Sequence, residues 1–166
     1  MKLFGLFLIS LAPISYGFYH AACLRRLLRT RVELARFFNY LRDQIDFFSK
    51  PQEEIYRQFE NAYLERIGFL PQLRSEYQNN PCGAMERAVE ILLEAWDFSV
   101  SESEALRSFS GQFGMLSKEA QISDCDRLIT VLEAQEKEKR KTIDTDIRLS
   151  RLFGLTVGIG IFILLL

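Results

Sequence analysis

Histidine is nearly missing from this chain: His20 is the only one in 166 residues, and it falls inside an apolar run at the start. An acid/base pair or nucleophilic triad built on histidine in a water-facing domain is thereby excluded. Cysteine is scarce and scattered. Cys23, Cys82 and Cys125 are odd in number and far apart, with no second ligand nearby, which excludes a disulfide framework and a zinc site. Such thiols fit a reducing cytoplasmic compartment, and Cys125 sits on an apolar helical stripe where cysteine acts as a small hydrophobe. The nine glycines and four prolines build no phosphate-cradling loop or dinucleotide fingerprint, and no H-E-x-x-H or cysteine-pair motif occurs. Basic residues are not in excess: 21 Lys+Arg stand against 22 Asp+Glu, a net charge of −1, so nothing attracts nucleic acid. Strand-like alternation and hairpin dipeptides are absent, which leaves an all-α chain.

What is present is concentrated at the two ends. Residues 3–22 (LFGLFLISLAPISYGFYHAA) carry no charge unless His20 is protonated, and the chain closes on LTVGIGIFILLL. The mean hydropathy of −0.01 conceals this unevenness. A bilayer core needs about 20 helical residues, so residues 3–22 are expected to span as a helix kinked at Pro13. Residues 152–166 reach only roughly 22 Å and would insert by thinning the bilayer or snorkelling Arg148 and Arg151. Gly154, Gly158 and Gly160 place small residues along one face, where a second membrane helix could pack closely. Arg25, Arg26, Arg29 and Arg31 follow the first run, and Lys137, Lys139, Arg140, Lys141, Arg148 and Arg151 precede the second. By the positive-inside rule the centre is cytoplasmic and both ends point outward. An exported lipoprotein acylated at Cys23, after Ala21-Ala22, is the rival; His20 and the arginines that follow oppose it. His20 is formally an intramembrane ionisable group, but beside Tyr19 and Arg25 it reads as an interfacial residue.

The expected architecture is a small antiparallel bundle of about five to six helices, residues 24–150, flanked by transmembrane segments at 1–23 and 151–166. Leu34, Phe38, Leu41, Ile45 and Phe48 make one stripe along a helix over 31–48. Ser49 is the expected N-cap of the next helix, with Pro51 in its first turn and Gln52 closing a capping box. That helix is striped by Ile55, Phe59, Ala62, Tyr63 and Arg66 and fades over 68–71. Asn80 and Pro81 start another helix, with Ala84, Ala88, Ile91, Leu92 and Ala95 on its buried face. Ser101 and Glu104 read as a capping box ahead of Leu106, Phe109 and Phe113, with Gly114 ending that helix. Ser117 caps the last one, which carries Ile122, Cys125, Ile129 and Leu132 and runs without Pro or Gly from 118 to 151, supported by the pairs Glu133–Lys137 and Glu136–Arg140. The carboxylate pairs Glu53–Glu54, Asp43–Asp46 and Glu102–Glu104 fall where first-turn or solvent-face acids sit. No catalytic, cofactor-binding or metal site is expected, and the chain reads as non-enzymatic.

The order of these features resembles the stage III sporulation protein AB family over essentially the whole length. The resemblance is carried by Gly17-Phe18-Tyr19 closing the first apolar run, the arginine-rich exit, and the helix start Ser49-Lys50-Pro51-Gln52-Glu53. It continues with Phe109-x-x-x-Phe113-Gly114 followed by Gln121, then a Glu/Lys-rich helix leading to the glycine-dotted apolar end. Ser110 stands where the family pattern has Gly, Ser117 where it favours Asp, and Met85 where Trp is frequent. The resemblance implies a membrane platform subunit of the channel between mother cell and forespore. Its central domain would lie in the mother-cell cytoplasm and be similar to the inner-membrane platform domains of type II secretion and type IV pilus machines. The implied partners are the secretion-type ATPase encoded with it, other channel membrane subunits, the lipid bilayer and further copies of itself, with no cofactor and no nucleic acid. A generic membrane-tethered helical scaffold, oligomerising through its C-terminal helix, is the alternative.

Overall fold

The computed structural model describes residues 2–48 and 50–165. Within these, the side chains of residues 2–14, 142–144, 146, 151, 154, 158, 161, 162, 164 and 165 lie outside the description. The described chain is all-helical, with helices α1 (Lys2–Asp43), α2 (Gln52–Gln58), α3 (Ala62–Arg66), α4 (Phe69–Asn79), α5 (Ala84–Ala95), α6 (Val100–Gln112) and α7 (Lys118–Leu165). A π turn over Gln44–Phe48 extends α1, and a 3-10 turn over Pro81–Gly83 leads into α5. Two compact units result, Arg29–Glu136 and a terminal unit of Met1–Leu28 with Lys137–Leu166.

The unit Arg29–Glu136 is organised around its stretch of α1. Leu34, Phe37, Phe38 and Leu41 are all fully buried, because other helices cover this segment on more than one side. Phe37 meets Phe59 and Phe69 edge-on at 5.2 and 5.5 Å, and Phe38 meets Phe109 at 5.2 Å. Edge-to-face pairs at this spacing contribute about 0.5–1.5 kcal/mol beyond the area they bury. The helix α7 closes the core with Cys125, Leu128, Ile129 and Leu132, and Ser117 caps it by accepting from the Ala120 amide at 3.4 Å. The unbroken α7 and the burial of Leu106, Phe109 and Phe113 match the sequence reading. Gly114, at φ +87°, ends α6 in the left-handed region that favours glycine.

Several expectations are corrected. The stripe through Phe48 breaks at the π turn, whose wider winding shifts the helical phase: Ile45 is buried while Phe48 is 62% exposed. Ser49 lies outside the described residues, and α2 starts with Pro51 as its cap residue and no side-chain hydrogen bond there. The single helix expected over Ile55 to Arg66 is two, because Phe59 turns extended and Asn61 caps α3 by accepting from the Tyr63 and Leu64 amides, both at 3.0 Å. The helix α4 runs through Pro71, which sits in its first turn where proline is tolerated. On α5 the buried face is rotated toward Met85 and Val89, which leaves Ile91 and Ala95 exposed. The capping box of α6 is Ser99 with Glu102, two residues earlier than Ser101 with Glu104.

The terminal unit pairs the start of α1 with the end of α7. Ala21 and Ile147 are buried against each other's helices with Leu24 and Leu28 beside them, and His20 Nδ1 lies 3.2 Å from Ser150 Oγ. Among the described residues no helix is long and apolar enough to cross a membrane, so the expected flanking transmembrane helices are not supported. The apolar stretch at the end of α7 falls short of the roughly 20 residues a span needs.

Candidate interaction surfaces

A polar cluster is buried within the unit Arg29–Glu136. Arg31 on α1 and Glu102 on α6 have no exposed side-chain surface, and their contact is bidentate: Nε donates to Oε1, and Nη2 donates to Oε2 at 2.9 Å. Glu102 Oε2 also accepts from the Ser99 amide and hydroxyl, each at 2.8 Å. One carboxylate therefore closes the cap of α6 and ties that helix to α1. Burial pushes the Glu102 carboxyl up, but the hydrogen bonds from Arg31 and from the Ser99 amide and hydroxyl outweigh it, together with the Arg31 charge. The carboxyl is held below its ordinary value. The Arg31 guanidinium lies over the Phe98 ring at 5.5 Å, and among the described residues its buried Nη1 has no hydrogen-bond partner. Next to it in sequence, Thr30 shares a 2.8 Å hydrogen bond with the Tyr63 hydroxyl, and Glu33 accepts from Asn61 at 2.8 Å. These pairs position helices.

The far end of this α1 segment is different in character. The π turn presents Phe47 and Phe48, 72% and 62% exposed, and the α6–α7 loop presents Met115 at 73%. Lys118, at the start of α7, donates its Nζ to the Asp46 carbonyl in the π turn at 2.5 Å, and a Cβ on Gly114 would lie 2.7 Å from Nε2 at the end of the Gln52 side chain of α2. Lys50 Nζ stands 5.6 Å from the Phe48 ring centroid. Among the described residues, Gln44 Oε1 in the π turn is buried without a partner.

Two open grooves cut the surface, one of about 400 Å³ lined by Arg57, Glu60, Asn61, Ala62, Glu65 and Arg74, and one of about 440 Å³ lined by Glu76, Glu86, Arg87, Glu90 and Ile91. Their charges satisfy one another, with Arg74 on Glu65 at 2.5 Å and Arg87 on Glu76 at 3.0 Å. No nucleophile or convergent base lines either groove. Among the described residues no group of three or more His, Cys, Asp or Glu could hold a metal ion. Burial pushes the Cys125 thiol up to about 12, with Asp126 and Asp124 adding to the effect, so this thiol is no nucleophile.

Of the glycines expected to pack a membrane helix, Gly154 and Gly158 lie outside the described side chains, and among the described residues a Cβ on Gly160 would meet no atom within 4 Å. The terminal unit nonetheless exposes large apolar groups, among them Tyr16, Tyr19, Leu152, Phe153, Ile159 and Ile163. Glu102 lies in a first turn, that of α6, as one of the two placements expected for it, but its burial against Arg31 is not legible in the sequence, and the aromatic end is hidden by the expected stripe through Phe48. Glutamate three residues after Ser99 was the signal available for the first.

The described chain is thus all-helical, with charges paired in its grooves and large apolar groups left exposed. The chain belongs to the stage III sporulation protein AB family, whose description matches residues 2–166. That membership places it in sporulation; the family is not a known enzyme family. No curated protein and no solved structure matches the chain.

Proposed function

We propose that the protein is a non-enzymatic membrane platform subunit of the mother-cell–forespore channel, coupling a cytoplasmic secretion-type ATPase to the membrane complex. The observation that carries this reading is the division of apolar surface between the two units. The terminal unit leaves apolar side chains exposed in number, beside Arg25 and Arg26, whereas Arg29–Glu136 buries a continuous core. A surface so apolar is covered in the cell, and flanking arginines favour an anionic cytoplasmic leaflet. On this reading the terminal unit is the membrane-attached part, by spanning or by lying in the interface, and Arg29–Glu136 stands in the mother-cell cytoplasm as a docking module for the ATPase and other channel subunits.

The test is a cross-linked pull-down of the tagged full chain from sporulating membranes, with mass spectrometry for the co-encoded ATPase. Recovery above an untagged control is expected; recovery of channel subunits without the ATPase removes the coupling role. A second reading, a scaffold that oligomerises through its C-terminal helix, is favoured by the open space around Gly160. It stands if Gly158→Leu abolishes self-association while the ATPase binds nothing.

A further inference from the structure

The exposed aromatic end of the unit Arg29–Glu136 is unlike the rest of its surface. Other large apolar groups there, Ile91 and Val100, stand singly on α5 and at the start of α6, which is ordinary for a soluble surface. Phe47 and Phe48 lie on the π turn and Met115 on the α6–α7 loop, and the Lys118 bond to the Asp46 carbonyl links the π turn to the start of α7 just after that loop. The backbone of the π turn is bonded from outside by Lys118, and the Lys50 ammonium lies over the Phe48 ring at 5.6 Å. Two phenylalanines and a methionine inside a polar rim have the make-up of an interface centre.

The charge of the rim selects the occupant. Asp46 with Lys118 and Lys50 with Glu54 form pairs at 4.0 and 3.4 Å that cancel. Arg42 is shared between Asp43 and Asp126 at 3.2 and 2.9 Å, so it neutralises only one of them, and Glu119 is exposed beside Lys118. The rim is left acidic, which repels an anionic bilayer and favours a protein whose apolar recess is bordered by basic residues. We propose that Phe47, Phe48 and Met115, with the acidic rim of Asp43 and Glu119, are the docking surface for the ATPase. The inference rests on the platform reading given above and adds to it the surface and the chemistry of its counterpart: an apolar recess with a net basic border.

The experiment uses the full chain in detergent and the purified co-encoded ATPase, with affinity measured for four proteins. These are the wild type, the Phe47→Ser/Phe48→Ser/Met115→Ser variant, the Asp43→Lys/Glu119→Lys variant, and an Ile91→Ser/Val100→Ser control. The triple variant is expected to bind at least about tenfold more weakly, the charge variant to bind more weakly at low salt than at high, and the control to bind as wild type. All substituted groups are solvent-facing, so melting temperatures should stay within about 2 °C of wild type; if the triple variant misfolds, the charge variant carries the test. Wild-type binding that the triple and charge variants retain overturns this surface while leaving the platform reading intact. Absence of wild-type binding overturns both. Intact ATPase binding with lost self-association in the triple variant, or patch-dependent binding to phosphatidylglycerol vesicles, assigns the surface to a second copy or to lipid and overturns the inference.

Discussion

Replacing Glu102 by alanine should be among the most damaging single changes in this protein. The substitution leaves Arg31 fully buried with its bidentate acceptor gone, one further nitrogen already unpaired, and only the Phe98 face nearby. Breaking a buried pair from one side costs about 3–5 kcal/mol, since the remaining charge is uncompensated. The Ser99 amide and hydroxyl lose their acceptor as well, and a lost cap alone costs about 1 kcal/mol. For a cooperative unit of this size each kcal/mol lowers the melting temperature by about 4 °C, so the pair and the cap together give a drop of about 16–24 °C. The assay is thermal unfolding of the full chain in detergent, followed by circular dichroism, with Glu104→Ala as the exposed comparison. That comparison should fall within about 0.5 kcal/mol of wild type. Substituting both partners as Arg31→Met/Glu102→Leu removes the charges together and should recover most of the loss, ending within about 1–2 kcal/mol of wild type. Equal melting temperatures for Glu102→Ala and Glu104→Ala would refute the assignment of the box and of the buried pair.

The same carboxylate sets an acid limit. Its folded value is lowered relative to the unfolded chain, so its contribution is complete above the ordinary carboxylate value, about 4.3, and is lost as pH falls through the folded value. Urea titrations at descending pH should show this limb flattened in Glu102→Gln. Gly68→Ala and Gly114→Ala should each cost about 1–2 kcal/mol, because both positions have φ +87°, where an L side chain is strained; the Gln52 amide that a Cβ at Gly114 would meet ends a flexible side chain and can swing aside. Denaturation midpoints unchanged from wild type would contradict the left-handed backbone at these two positions. Iodoacetamide at pH 8 should label exposed Cys82 in the native protein and Cys125 only after denaturation, because Cys125 is buried with its thiol pushed up to about 12; peptide mass spectrometry reads the order.

Sequence alone determined the helical class, the polarisation of apolar residues toward the two ends, and the helices whose signals are local. Ser117 capping α7, Gly114 ending α6, and the core positions Leu106, Phe109, Cys125, Ile129 and Leu132 depend on spacing within one helix, and spacing is written in the chain. Tertiary structure decided the rest. Whether α1 is half-buried or enclosed depends on what packs against Phe37 as well as Phe38, and no periodicity in α1 alone contains that. Ser99 with Glu102 and Ser101 with Glu104 are equal local cap candidates; the choice between them follows from Arg31, distant in sequence, which needs a carboxylate where α6 meets α1. The fate of Phe48 turned on a π turn held from outside by Lys118, whose bond to Asp46 crosses most of the unit's length in sequence. Contacts of that range exist only once the chain has folded, and they place one carboxylate in the core and two phenylalanines in the open.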